Sequence, residues 1–321
     1  MTRSRRRALP AALVLWLAAA GSTAPPHAGA DGGAALAVAR GGAWYTWWRA
    51  ANAPARWAAP DPTVTRAVGW HRAADGVEWG ELRLAGGGEA WRTRVIVVRF
   101  DPARVRVRLD TAFHGSLARA AWTIARAPRD AVLALNAGQF VGSLPWGWVV
   151  LDGRELLPPG HGPLSTAVVI DTAGRFRWVQ PGEIAAIRHR RDVAAAFQSY
   201  PTLLVGDGEV PPVLRARSSS ADIDLAHRDA RLAIGELRDG RVLIALTRFD
   251  ALGGALDVAP FGLTTPEMAA LMGALGCRTA VMLDGGISSQ LAVRGEDGAE
   301  HVWPGLRRVP LGLVAFPRHL R

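Results

Sequence analysis

The chain has 321 residues, 49% of them hydrophobic, and a formal net charge of +10, which is enough apolar material for one large domain or two small ones. All 38 basic residues are arginine and they are scattered; the tight clusters are Arg5-Arg6-Arg7, Arg188 with Arg190-Arg191, and Arg307-Arg308. Nucleic-acid binding leaves a basic stripe along one face or helix, so this scatter argues against DNA or RNA as a partner and for a solvated basic surface.

Residues 1–30 read as a secretory signal. Arg3 and Arg5 to Arg7 precede an apolar run from Leu9 to Ala20, and Ala28-Gly29-Ala30 supplies a small-residue cleavage site. That run is shorter than the ~20 residues that span a bilayer. Cleavage near Asp31 is expected to leave no stable membrane span, with an uncleaved anchor as the alternative. The expected location is secreted, or periplasmic and cell-envelope. Cys277 is the sole cysteine, so an intrachain disulfide is excluded and a small buried filler is the simplest reading.

Residues 31–64 read as a linker rich in Ala, Gly, Pro and Trp. Trp44, Tyr45, Trp47, Trp48 and Trp57 lie here; they are expected to tuck against the following domain, a sugar contact being the alternative. The regular pattern starts near Thr65, and 65–317 reads as a single catalytic domain.

Strands are predicted at 91–100 and 105–109 on either side of Asp101-Pro102. Others follow at 148–151 and 165–170, separated by Asp152-Gly153, and at 201–205 before Asp207-Gly208. Asp239-Gly240 between 232–237 and 241–248 is a two-residue hairpin signal. Helices are fewer. Leu117, Ala121, Ile124 and Ala125 predict one over 117–127. Thr264 with Glu267 forms a capping box, Pro266 suits a first turn and Gly276 a stop, which predicts a helix over 265–275. The fold class is therefore α+β: a mixed, strand-rich sheet with a few packed helices.

Each predicted helix precedes an apolar run, Ala131 to Leu135 and Ala280 to Leu283, and each run ends in a polar residue followed by small ones. The pairs are Asn136-Ala137-Gly138 and Asp284-Gly285-Gly286. If both runs are central strands of one sheet, Asn136 and Asp284 emerge at one edge within roughly 10 Å. Asp284 is costly to bury without partners, and the glycines after it allow a sharp turn whose amides bind anions. The competing reading makes Asp284 the cap of its own turn. Strand alternation puts Arg231, Ala233 and Gly235 on one face, opposite Leu232 and Ile234. A guanidinium beside small side chains suits a phosphate cleft, although an ordinary surface arginine fits too. Asp222, Asp224, His227 and Asp229 match no metal-ligand spacing and read as a solvated loop; no metal or cofactor is expected.

The stretch from Gly262 through Thr264-Thr265-Pro266-Glu267 to Gly276-Cys277, then Met282-Leu283-Asp284-Gly285-Gly286-Ile287-Ser288-Ser289, resembles the C-terminal signature of the phosphodiester glycosidase family. Asn136-Ala137-Gly138-Gln139-Phe140 is similar to the family's Asn-Gly-Gly-x-Phe. Tyr200 to Val205 is similar to its central strand, and Arg231-Leu232-Ala233-Ile234-Gly235 to its Arg-Thr-Ala-x-Gly. The resemblance spans about residues 92–316, with Ala137, Leu232 and Ile287 departing from the pattern. It implies an exported hydrolase that cleaves a sugar from a phosphodiester in a carbohydrate or sugar-phosphate polymer. Asp284, Arg231 and Asn136 would be catalytic, and Gly138, Gly285, Gly286, Ser288 and Ser289 would bind substrate. A phosphodiester is already a good leaving group, so one carboxylate and a cationic site suffice where ordinary glycosidases need two carboxylates. Two rivals are a non-catalytic glycan-binding envelope protein and a phosphodiesterase or transferase of exopolysaccharide metabolism.

Overall fold

The computed structural model describes residues 34–113, 117, 120–162, 165–221, 223–251 and 256–318. The signal read at 1–30 and Asp222 lie outside them. Three sheets carry the fold. The largest runs from Thr202–Leu204 through Cys277–Leu283, Leu232–Leu237, Val242–Phe249, Thr93–Phe100, Val77–Ala85 and Ala35–Arg40 to Ala43–Arg49, with Gly69–Ala74 also paired to Val77–Ala85. A second runs Arg154–Leu157, Val149–Leu151, Val193–Ser199, Thr166–Asp171, Phe176–Val179. The third runs Glu300–Trp303, Leu291–Arg294, Leu133–Asn136, Gly312–Pro317, Val105–Asp110.

Strand-rich with few helices is what the structure shows, but the sheet is not mixed. Every pairing in these three sheets is antiparallel. The continuous apolar runs arise because the large sheet is covered on both faces, which antiparallel sheets also permit. Ile96, Val98, Leu232, Ile234, Val281 and Leu283 pack against Leu133, Leu135, Phe197, Leu291 and Leu313 of the smaller sheets. The alternate residues Val95, Val97, Ala233, Ala245 and Met282 join a second core with Met268, Leu271 and Met272 of the main helix.

That helix, Thr265–Ala274, has the expected capping box, with the Glu267 amide donating to Thr264 Oγ1 at 3.3 Å and the Thr264 amide donating to the Glu267 carboxylate at 2.9 Å. Gly276 ends it at φ +99°. Trp57 lies flat on the helix: a Cβ at Gly273 would start 2.2 Å from its ring.

Three expectations need correction. Residues 35–49, read as part of a linker, form two strands of the largest sheet, with Trp48 buried in its core. Their alternation is hidden by the run of aromatics on both faces. The helix expected over 117–127 is absent from its described part: Thr123 is extended and only Ile124–Arg126 makes a single 3-10 turn. Tertiary partners take the groups a helix needs. Trp122 exchanges main-chain hydrogen bonds with Val309 at 2.8 and 3.0 Å, and the Ile124 amide donates to Gln290 Oε1 at 2.9 Å. Finally, the strands ending at Asn136 and Asp284 belong to different sheets, stacked face to face rather than side by side.

Candidate active site

Asp284 opens the crossover between those two sheets. Cys277–Leu283 runs in the large sheet; after Asp284 to Gln290 the chain continues as Leu291–Arg294, paired with Leu133–Asn136. The crossover therefore brings the two motif ends together although no shared sheet does. Asn136 Nδ2 donates to the Asp284 carbonyl at 2.9 Å, the Gln290 amide donates to Asn136 Oδ1 at 2.9 Å, and the Asp284 amide donates to the Gly138 carbonyl at 2.9 Å. One buried amide thus fastens both ends of the loop.

These bonds reassign several expected contacts. Asn136 is 1% exposed and both ends of its amide bond the crossover backbone, so its first task is to hold the loop. Ser288 and Ser289 are buried. The Ser288 hydroxyl serves the Asp284 carboxyl, and Ser289 Oγ donates to the Gly286 carbonyl at 2.8 Å. Gly138 is also buried. The signature is largely scaffold for one carboxyl group. Arg248, which the sequence did not single out, completes it from the strand Val242–Phe249: its guanidinium, 1% exposed, donates to Ser289 Oγ at 2.9 Å, the Ser289 carbonyl at 2.7 Å and the Pro304 carbonyl at 3.0 Å.

Asp284 itself is only partly covered. Its Oδ2 is buried yet has no hydrogen-bond partner among the described residues. Burial, the largest influence, pushes its carboxyl up to about 6; the Ser288 hydrogen bond and the Arg307 charge oppose that, and the Asp229 charge adds to it. Buried polar atoms that no protein group pairs with are few in a folded chain, which singles this oxygen out.

Asp229 is the second carboxylate, assigned by sequence to a solvated loop. It is pressed against the crossover, with Oδ2 2.9 Å from where a Cβ at Gly286 would begin, and a Cβ at Gly285 would meet the Ala230 carbonyl at 2.5 Å. Both glycines are there for this close approach. The Ala230 amide donates to Asp229 Oδ1 at 2.8 Å, and His227 Nε2 stands 3.7 Å from Oδ2. Burial raises its carboxyl, against the pull of Arg231. Asp224, by contrast, accepts from Ser219 Oγ and from the Ala226 and His227 amides, and turns an exposed loop. Among the described residues no three His, Cys, Asp or Glu side chains gather as a metal set.

Arg231 does not stand in an open cleft between small side chains. Ala233 and Gly235 face the helix and its neighbouring strands, where a Cβ at Gly235 would lie 2.6 Å from the Thr279 carbonyl. The small residues make room for packing. Arg231 is 7% exposed; Nε donates to the Leu263 carbonyl at 2.8 Å and Nη2 to the His227 carbonyl at 2.6 Å. Burial pulls its guanidinium pKa down, while Asp229 supports the charge. Its outer edge reaches a cavity of about 650 Å³ bounded also by Gln139, Phe140, Trp146, Tyr200 and His227. Asp284 does not itself line this space; Met282, two residues before it, does, as does Gln139, which follows the Gly138 whose carbonyl accepts from the Asp284 amide. Trp146 and Tyr200, 6.3 Å between ring centroids, give the cavity an apolar wall of the kind on which sugar rings pack.

Residues 129–316 match the model of the phosphodiester glycosidase family. The chain belongs to this family, hydrolases that act on phosphodiester-linked sugars. The match begins later than the resemblance near residue 92 suggested, so the first strands of the large sheet lie outside it. The fold is similar to the catalytic domain of zebrafish N-acetylglucosamine-1-phosphodiester alpha-N-acetylglucosaminidase, at 16% identity and TM-score 0.55, over 80% of this chain and 89% of that one. It is also similar to a hypothetical protein from Synechocystis, at 16% identity and TM-score 0.51, over 78% of this chain and 64% of that one. This chain thus spans less than two thirds of the Synechocystis protein. At such identities the likeness is one of fold. No curated protein matches the sequence.

Proposed function

We propose that the protein is an exported hydrolase that breaks the bond between a sugar and a phosphodiester in a cell-surface or extracellular glycan, with Asp284 at the reacting sugar carbon. The single observation behind this reading is the Asp284 carboxyl: anchored by Ser288, two residues from Met282 of the cavity wall, and with one buried oxygen that no described residue donates to. As the sugar–oxygen bond breaks, positive charge builds on the ring carbon, and an ionised carboxylate there stabilises it or takes the proton of attacking water. Protonation of the leaving oxygen contributes little, because a phosphodiester leaves as a weak base. Export rests on the charged and apolar segments of residues 1–30; no helix among the described residues is long and apolar enough to cross a membrane.

Hydrolysis in ¹⁸O water tests the reaction type. The label is expected in the sugar. Label in the phosphate would make the protein a phosphodiesterase, and no turnover on any sugar phosphodiester would leave it a glycan binder.

Arg231 has a bracing role in this reading. Its main hydrogen bonds hold the His227 and Leu263 carbonyls, and its charge opposes the burial that raises the Asp229 carboxyl. Arg231→Ala is expected to lower turnover of phosphodiester and neutral aryl glycoside substrates alike, by about tenfold or more, as loss of a buried charged donor costs ~1.5–3 kcal/mol. A loss confined to the phosphodiester, read from kcat/KM on both, would make Arg231 the phosphate contact instead.

A further inference from the structure

We propose that the guanidinium of Arg307, stacked on Phe140 of the cavity wall, is the grip for the phosphoryl group of the substrate. This rests on the reading of the site as one for a sugar phosphodiester. The sequence nominates Arg231 for that task, but the balance of charge around Asp284 favours another residue. Arg228 is matched by Glu267, with contacts of 2.6 and 2.8 Å. Arg231 is offset by Asp229 and committed to two carbonyls. Arg248 is sealed in the crossover. Arg307 is exposed, and among the described residues its guanidinium makes no ion pair and no hydrogen bond.

It is nonetheless held in place. The Arg307 amide donates to the Ile287 carbonyl at 3.0 Å, the Leu306 amide donates to the same carbonyl at 2.8 Å, and Gln290 Nε2 donates to the Arg307 carbonyl at 3.3 Å. All three bonds tie its backbone to the crossover that begins at Asp284. Its Cζ sits 4.8 Å from the centroid of Phe140, a wall of the cavity. Stacking of this kind fixes the plane of a guanidinium and leaves its edge N–H groups free. Such an edge matches two oxygens of a phosphoryl group. Its charge acts on Asp284 and favours the ionised form of that carboxyl.

The chemistry makes such a cation useful in the transition state as well as in binding. The sugar–oxygen bond breaks with its electron pair passing to the phosphate oxygen, while water supplies hydroxide to the sugar carbon and releases one proton. The products are the free sugar and a phosphate monoester that carries one more negative charge than the diester. A fixed cation at that oxygen gains on the charge that develops.

The test is Arg307→Ala in the full chain, with Arg307→Lys beside it. Two measurements are needed: kcat/KM on a sugar phosphodiester and on a neutral aryl glycoside of the same sugar, and calorimetric binding of methyl phosphate. The phosphodiester is expected to lose at least about tenfold more than the aryl glycoside, and methyl phosphate to bind at least about tenfold more weakly. Lysine should restore only part of both, because it lacks the planar edge and the stack. Equal losses on the two substrates, or methyl phosphate binding that the substitution leaves unchanged or that the unsubstituted protein lacks, would overturn the assignment. The parent reading survives those outcomes so long as the unsubstituted protein still turns over the phosphodiester; failure of that turnover removes both.

Discussion

Asp284→Asn is expected to lower kcat/KM by on the order of 10³-fold, about 4 kcal/mol of transition-state stabilisation, while erasing one component of the pH dependence of stability. The carboxyl is pushed up to about 6 in the folded protein from an ordinary value of 3.8. The folded state therefore holds this proton more tightly than the unfolded chain does between those values. Stability from this group is highest below about pH 4 and falls as pH rises through about 6, by roughly 3 kcal/mol for a shift of about two units. Carboxylates such as Glu78, Glu155 and Asp171 are held below their ordinary values by arginines and amides, so they add stability as pH rises and mask the effect in the total. Comparison of the variant with the parent isolates it. Urea unfolding at pH 4 and pH 7.5 should show the variant gaining on the parent at the higher pH; a difference independent of pH would mean that Asp284 is not strained by burial. Catalysis by an ionised Asp284 also requires that kcat/KM rise with pH through about 6. Asp229→Asn, by removing a repelling charge, should move that rise to lower pH.

The parts of this site that were legible in the sequence are those with local signals. Thr264, Glu267, Pro266 and Gly276 define a helix by chemistry confined to its own ends, and the structure has it. Asp239-Gly240 sets a hairpin for the same reason. Asp284-Gly285-Gly286 stood out because an apolar strand ending in an acid and two glycines is unusual anywhere in a core. What those glycines accommodate was not legible. They admit Asp229 and the Ala230 carbonyl, which come from a segment that sequence assigned to a solvated loop. Asn136 was found by its place at a strand end, but its task, fastening the crossover at both ends, depends on two sheets being stacked. The alternation of Arg231, Ala233 and Gly235 was read with the right period and the wrong neighbour: the small face meets a helix, not a cleft. Arg307 was marked only as half of the Arg307-Arg308 pair, because its position beside Phe140 is set by bonds to the far side of the crossover.

The segment that carries His227, Asp229 and Arg231 is itself held by one buried ion pair, and breaking it should cost as much as any single change outside the site. Arg228 donates to both oxygens of Glu267, which is fully buried in the first turn of the main helix, and to the Gly262 carbonyl at 3.2 Å. Glu267→Gln leaves the capping box available, since Gln also serves at that position, and removes only the charge. Arg228, largely buried, then keeps a positive charge with Glu89 at 3.8 Å as its remaining acidic neighbour. Loss of one partner from a buried pair typically costs ~3–5 kcal/mol, because the other ion stays desolvated and uncompensated. The expected cost of Glu267→Gln is about 3 kcal/mol by urea unfolding. Turnover measured well below the new midpoint should fall as well, since the same segment presents Asp229 to Asp284. The double variant Arg228→Met/Glu267→Gln removes the stranded charge, so it should recover most of the lost stability. It should not recover full turnover, because the guanidinium that fixed the segment is gone. A double variant no more stable than Glu267→Gln alone would place the cost in the helix cap rather than in the ion pair.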